Sequence, residues 1–173
     1  MEINDDHLYH GAALTQIAEH PQFTAINAIM VDDRISRSSF LVNNNIAVFL
    51  KYAEKPTKTF NEYVFTFHPD HLEEIERIEQ KAGRAFVALV CVEARQICCI
   101  SRDELTDIIE ERKRAKGSDE DMYTILVTVP DGKSLRVYAN CPGKRKKSLK
   151  QQIVSRTRFP DVIFKELKCA CNE

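Results

Sequence analysis

The residues best suited to bind a ligand form a run of cations near the end of the chain. Residues 131–168 hold eleven Lys and Arg against three Asp and Glu, whereas residues 1–130 hold 14 basic and 22 acidic side chains. Cations so close together can contact successive phosphates of a nucleic-acid backbone. We therefore expect nucleic acid or another polyanion as a partner. The candidate contacts are Lys144, Arg145, Lys146, Lys147, Lys150, Arg156 and Arg158.

The same charges allow two other interpretations. A basic segment can dock onto an acidic helix of its own chain or of a second copy, or it can simply be solvated. The alternative to polyanion binding is therefore a protein-interaction module or a homodimeric structural protein, whose partner is another protein or a second copy of the chain. The acidic residues available for such docking are Glu73, Glu74, Glu76 and Glu79.

Two histidines and a carboxylate lie at a predicted junction between a strand and a helix. His68, Asp70 and His71 have the chemistry to bind zinc or to exchange protons. Proline followed by aspartate is, however, also typical of the first turn of a helix. We therefore expect no metal ion or other cofactor here.

The six cysteines are expected to be reduced thiols. Cys98 and Cys99 follow an apolar segment, where cysteine packs as a small hydrophobic residue, and no base is apparent that would make either a nucleophile. Cys169 and Cys171 could join Cys141 in a zinc site, but structural zinc sites usually pair cysteines two to four residues apart.

Apolar periodicity, caps and turn residues divide the chain into helices and strands. Residues 24–31 fit a strand or a helix equally well. Residues 85–92 are almost entirely apolar, which predicts a strand buried on both faces at the centre of the core. Helices are predicted at residues 6–20, 70–82, 102–116 and 144–154, the last of them basic. Strands are predicted at residues 39–42, 46–52, 62–68, 97–100, 122–129, 134–139 and 162–164.

The predicted order of a helix, three antiparallel strands, a helix and a strand, with Lys51 at a strand end, resembles the core of the PD-(D/E)xK nuclease superfamily over about residues 6–100. In that family an Asp and a later Asp/Glu-x-Lys motif hold Mg²⁺ and the scissile phosphate. The resemblance implies catalytic roles for Asp32 or Asp33 and for Lys51. Phe49 stands at the position of the second carboxylate, and a phenyl ring cannot ligate Mg²⁺.

This departure implies a nuclease-like ancestry without an intact metal site. Cleavage with Mg²⁺ as cofactor would require a carboxylate from elsewhere, such as Glu19 or Glu62. A metal-dependent nuclease with a rearranged active site is therefore the third hypothesis for function, after nucleic-acid binding and protein interaction.

We expect an α+β or α/β fold: a central mixed, largely antiparallel sheet flanked by two or three helices. Residues 1–117 should form the main core, and residues 118–173 a C-terminal hairpin and basic helix packed on the same domain. The sequence has no glycine-rich phosphate loop and only 5 glycines, which argues against the common nucleotide-dependent enzymes. The acidic start and the absence of a long apolar run predict a cytoplasmic protein without membrane segments.

Overall fold

The computed structural model describes residues 1–166 of the chain and contains helices, two main sheets and a small ribbon. The helices are α1 (Asp5–Ala18), α2 (Pro69–Ala82), α3 (Arg102–Lys116) and α4 (Asp161–Phe164). The strands are β1 (Ile26–Val31), β2 (Arg34–Val42), β3 (Ile46–Ala53), β4 (Tyr63–Phe67), β5 (Ala85–Cys91), β6 (Gln96–Ser101), β7 (Tyr123–Thr128), β8 (Leu135–Tyr138), β9 (Asn140–Cys141), β10 (Lys144–Ser148) and β11 (Gln152–Val154).

The central sheet has five strands in the order β1-β2-β3-β5-β6. The β3–β5 pair is parallel and the other three pairs are antiparallel. A parallel pair needs a long crossover, which α2 supplies. With α1 on one face and α2 and α3 on the other, the expected α+β class with a mixed, largely antiparallel central sheet is confirmed.

The helix ends follow from local chemistry. The Asn4 side chain caps α1 by accepting a hydrogen bond from the amide of His7. The helix therefore begins at Asp5, one residue before the predicted start at residue 6. Ser101 and Glu104 form a capping box at the start of α3, where a helix was predicted from residue 102. Gly83 and Gly117 adopt φ values of 97° and 83°, which are left-handed, and end α2 and α3.

Strand β5 is the centre of the core, as predicted. All seven of its residues are buried, and Leu89 is 0% exposed. Alternate residues face opposite sides, so that Leu89 packs with α2, α3 and the second sheet, while Ala88 packs with α1 and α4. The central sheet is thus covered on both faces.

Within residues 24–31 the structure has strand β1, and the strands predicted at residues 39–42 and 46–52 are confirmed as parts of β2 and β3, which form a hairpin. Asn43 and Asn44 adopt positive φ values of 52° and 62° at the turn between β2 and β3. Strand β1 pairs with β2 through a second turn, formed by Asp32 and Asp33.

The prediction that residues 62–68 form a third antiparallel strand beside β3 is wrong. Both edges of β3 are occupied, by β2 and by β5, so β4 has no place there. It pairs instead with β7 in a second, four-stranded sheet of order β11-β8-β7-β4. The structure therefore has a second sheet beside the expected central one.

Two further elements differ from the sequence prediction. Residues 144–154 do not form a basic helix; they form strands β10 and β11, because four adjacent cations repel one another on a helix and supply no apolar stripe. Residues 162–164 are helical rather than extended, since this turn buries Ile163 and Phe164 against α1. The terminal extension is therefore a hairpin without the helix.

Candidate nucleic-acid interface

The cations at residues 144–147 lie on a short ribbon formed by β9 and β10. Pro142 and Gly143 form the turn, with Gly143 at a φ of 69°. Lys144 pairs with Cys141 and Ser148 pairs with Asn140, so the three residues between Lys144 and Ser148 have no partner on β9 and bulge outward. The ribbon therefore presents cations in a row; the hairpin cations are Lys144, Arg145, Lys146 and Lys147.

The ribbon is closed at its base and attached to α3. The guanidinium of Arg112 donates from Nη1 to the carbonyl of Asn140 at 2.6 Å. After the ribbon, the amide of Leu149 donates to the carbonyl of Ala139 at 2.8 Å. Arg112 is itself fixed by two 2.8 Å bonds to Glu120, which also pairs with Lys116. The charged side chains are thus carried on an anchored backbone.

None of the hairpin cations has an ion-pair partner within residues 1–166, and all four are exposed. Lys150 is exposed too; its amide, rather than its side chain, bonds to Glu111 at 3.2 Å. Five of the seven predicted phosphate contacts therefore keep their charge available to a ligand.

The other two predicted contacts are engaged inside the protein. Arg156 donates from Nε to the carbonyl of Lys133 at 2.7 Å and from Nη2 to that of Pro130. Arg158 forms a two-pronged ion pair with Glu104, at 2.9 and 2.5 Å. Their guanidinium groups hold β11 and the following loop to the rest of the protein. They therefore have a structural role, whereas the hairpin cations remain exposed.

The acidic residues of α2 also have partners other than the ribbon in the described structure. Glu79 pairs with Arg102 at 2.8 Å, and Glu74 accepts 2.5 Å hydrogen bonds from Ser36 and Ser39. Glu73 and Glu76 lie 3.9 and 4.0 Å from Arg77 and Arg102. Residues 144–148 therefore do not dock onto α2 within the chain.

Beside the ribbon lies the hairpin groove, which consists of two adjoining cavities of about 590 and 160 Å³. Its apolar residues include Phe60, Val64 and Met122, which are 37%, 39% and 51% exposed. Phe60 and Arg145 line both cavities. Lys144 lines only the larger cavity and Lys146 only the smaller. An apolar and aromatic surface thus adjoins the unpaired cations.

A buried carboxylate also lines the groove. Glu62 is 9% exposed and accepts a 2.7 Å hydrogen bond from the hydroxyl of Tyr138. Burial, together with this bond and the negative charge of Glu62, raises the pKa of Tyr138, so the tyrosine remains a neutral donor.

Three of the residues considered as catalytic candidates, Asp33, Lys51 and Glu62, lie in different surroundings. Asp33 is an exposed turn residue with a φ of 59°, and Glu62 lies at the hairpin groove. Lys51 is half-buried, with its ammonium 5.4 Å from the centre of the Phe67 ring. Desolvation lowers the pKa of Lys51, and the carboxylate of Asp70 opposes this effect.

The His68, Asp70 and His71 group serves the start of α2. The ring of His71 accepts at Nδ1 a 3.1 Å bond from the amide of His68. Burial, and then the charge of Lys51, lowers the pKa of His71, which favours the neutral ring. Residues 1–166 contain no group of three His, Cys, Asp or Glu side chains arranged to hold a metal ion. Of the suggested zinc ligands, Cys141 lies at the ribbon, while Cys169 and Cys171 lie outside the described residues.

Sequence reasoning found the cations but missed the hairpin groove. Val64 is the exposed residue of the alternating Tyr63-Val64-Phe65 segment, and Phe60 and Met122 flank strands of the same sheet. The apolar Val64 at an outward-facing strand position was the one sign of this surface in the sequence. The groove itself forms because β4 pairs with β7, which the sequence does not indicate.

Comparison with known proteins adds no relative. No family model matches the chain, and no curated protein or solved structure shows significant similarity to it. In residues 1–166, every helix is too short or too polar to cross a membrane.

Proposed function

We propose that this protein binds nucleic acid, or another polyanion, through the hairpin cations. The observation that carries the proposal is a row of four exposed cations on an anchored ribbon, none of them neutralised by a carboxylate within residues 1–166. Like charges held together repel one another, and a polyanion relieves that repulsion while releasing its condensed counterions.

A charge deletion tests the proposal. The variant carries Lys144→Gln, Lys146→Gln, Lys147→Gln and Arg145→Gln, and its retention on immobilised DNA and heparin is compared with that of the wild type. We expect elution at lower salt for the variant and no retention of either protein on a column of an acidic protein. Retention of the variant equal to that of the wild type would contradict the proposal.

A matched control removes the same charge elsewhere. Four other exposed cations, which lack ion-pair partners in the described structure, are replaced by Gln: Arg34, Arg37, Arg95 and Arg114. Because net charge changes equally, only a local binding site makes the two variants differ. We expect the control to elute close to the wild type.

The second candidate is a protein partner, including a second copy of the chain. One observation favours it: Met30 and Ile35 face each other across β1 and β2 and are 44% and 64% exposed, beside a sheet edge. A charged residue at each position, as in Met30→Lys with Ile35→Lys, should abolish such an association. Sedimentation of the wild type as a monomer at every concentration would rule out the homodimer.

We further propose a nuclease-like ancestry, with metal-dependent cleavage as the third candidate. The order α1, β1, β2 and β3, followed after β4 by α2 and a parallel β5, supports the ancestry. The half-buried Lys51 beside Asp70 supports a functional lysine. Incubation with supercoiled DNA and Mg²⁺ tests cleavage, with Lys51→Ala as the control.

A reducing compartment such as the cytoplasm fits the free thiols of Cys91, Cys98 and Cys99 in the core.

A further inference from the structure

We propose that the hairpin groove binds single-stranded nucleic acid, with one unstacked base on the ring of Phe60 and its flanking phosphates on the hairpin cations. This inference rests on the function proposed above, and it names the form of nucleic acid that the protein prefers.

The first support is the arrangement of aromatic and cationic groups. Phe60 and Arg145 line both cavities of the groove, with Lys144 on one side and Lys146 on the other. A strand whose base occupies the ring would therefore carry its phosphates past cations in both directions. Stacking platforms combined with cationic grooves are the general means of holding single strands.

The second support is the rigidity of the loop that carries the ring. The amide of Thr57 donates to the carbonyl of Glu62, and the amide of Asn61 donates to the carbonyl of Thr57, each at 2.9 Å. Asn61 adopts a φ of 53°, which closes the loop. Phe60 is thus held at the groove before any ligand arrives, and little conformational entropy is lost when a base stacks on it.

The third support is the surface around the ring. Val64 and Met122 are exposed apolar side chains that line the larger cavity, and a base covers apolar surface that a phosphate cannot. The acidic residues of the groove are occupied: Glu120 pairs with Arg112 and Lys116, and Glu62 bonds to Tyr138. In a duplex the bases stack on one another, so their faces are closed to the ring.

The experiment measures binding of a 15-nucleotide oligothymidylate and of a 15-base-pair duplex by fluorescence anisotropy. We expect the single strand to bind more tightly. Phe60→Leu keeps apolar volume but removes the π-face, and it should weaken single-strand binding about 5- to 150-fold, since stacking is worth about 1–3 kcal/mol per base. Phe60→Tyr should bind as the wild type does.

A spectroscopic readout locates the base. The chain contains no tryptophan, so Phe60→Trp introduces a single indole at the groove. Oligothymidylate should quench its fluorescence on stacking. The control Leu8→Trp places the indole on α1, at a residue 56% exposed and distant in the fold, and its emission should not change.

The outcomes separate the two proposals. If the duplex binds as tightly as the single strand, Phe60→Leu changes nothing and the indole at residue 60 is not quenched, then the single-strand inference is overturned while polyanion binding by the cations stands. If neither oligonucleotide binds the wild type, the single-strand inference fails, and nucleic acid fails as the polyanion of the function proposed above. Loss of binding in Phe60→Leu, with the quench in Phe60→Trp, supports the inference.

Discussion

Replacing Arg158 with Gln removes the guanidinium that holds Glu104. Both hydrogen bonds of the pair are lost, and in the described structure the carboxylate of Glu104 keeps only the bond from the amide of Ser101. The side chains of Arg158 and Glu104 are 24% and 30% exposed, which places the pair between a surface bridge and a buried one. Surface bridges contribute less than about 1 kcal/mol, and hydrogen bonds to charged groups about 1.5–3 kcal/mol.

We therefore expect Arg158→Gln to lower the free energy of unfolding by about 2 kcal/mol, midway in the range for hydrogen bonds to charged groups. In a chain of this size that loss lowers Tm by about 4–8 °C. The matched control, Lys147→Gln, removes an exposed cation without an ion-pair partner in the described residues and should change stability by less than about 0.5 kcal/mol.

Urea unfolding of Arg158→Gln, Glu104→Gln and the double variant isolates the pair. Because Glu104 also accepts from the amide of Ser101, its single variant loses more than the ion pair, and only the coupling energy reports the pair itself. We expect coupling of about 1–2 kcal/mol and, in a separate titration, DNA affinity close to that of the wild type. An Arg158→Gln protein of unchanged stability and weakened DNA binding would refute this account of Arg158.

Three further predictions concern acid stability, packing and thiol reactivity. Burial alone would raise the pKa of Glu104, but hydrogen bonds from Arg158 and Ser101 outweigh it and hold that pKa below its usual value. The stability that results is present above the usual pKa and is lost as pH falls through the lowered pKa. When the free energy of unfolding is measured at decreasing pH, the wild type should therefore lose more stability than Arg158→Gln. Leu89→Ala should cost about 2–5 kcal/mol in denaturant unfolding, and a loss below about 1 kcal/mol would contradict the position of β5 in the core. Burial raises the pKa of Cys99 to about 12, so mass spectrometry after iodoacetamide at pH 8 should find it alkylated only in the unfolded protein.

The elements that the sequence predicted well are those whose secondary structure is indicated by neighbouring residues alone. The apolar run of β5 has the length and composition that favour a buried strand, and Ser101 with Glu104 fixes the start of α3. The asparagines between β2 and β3 supply the positive φ that the turn requires. In each case short-range chemistry and long-range packing agree.

The elements that the sequence misplaced depend on distant partners. Strand β4 has a clear strand pattern, but its neighbour is β7, about 60 residues further on, because β2 and β5 had already occupied both edges of β3. The basic segment has no apolar face of its own. Its shape is set by the turn at Gly143 and by the bond from Arg112 to the carbonyl of Asn140.

The candidate site was predictable only in part, for the same reason. The cations are visible in the composition, but their partners are not: nothing local indicates that Arg158 meets Glu104, 54 residues earlier, while Lys144 keeps its charge free of any carboxylate in the described structure. Phe60 joins these cations through the second sheet, and its place in the groove follows from the fold.

The most direct test of the central claim is the salt dependence of oligothymidylate binding, measured for the wild type and for the variant that lacks all four hairpin cations. Each phosphate contact on a single strand contributes about 0.7 to the slope of log affinity against log salt, so the variant should be flatter by up to about 2.8. Its Tm should stay close to that of the wild type, because the cations are exposed and have no ion-pair partners within residues 1–166. Equal slopes for the two proteins, or a wild type whose binding does not respond to salt, would contradict the claim.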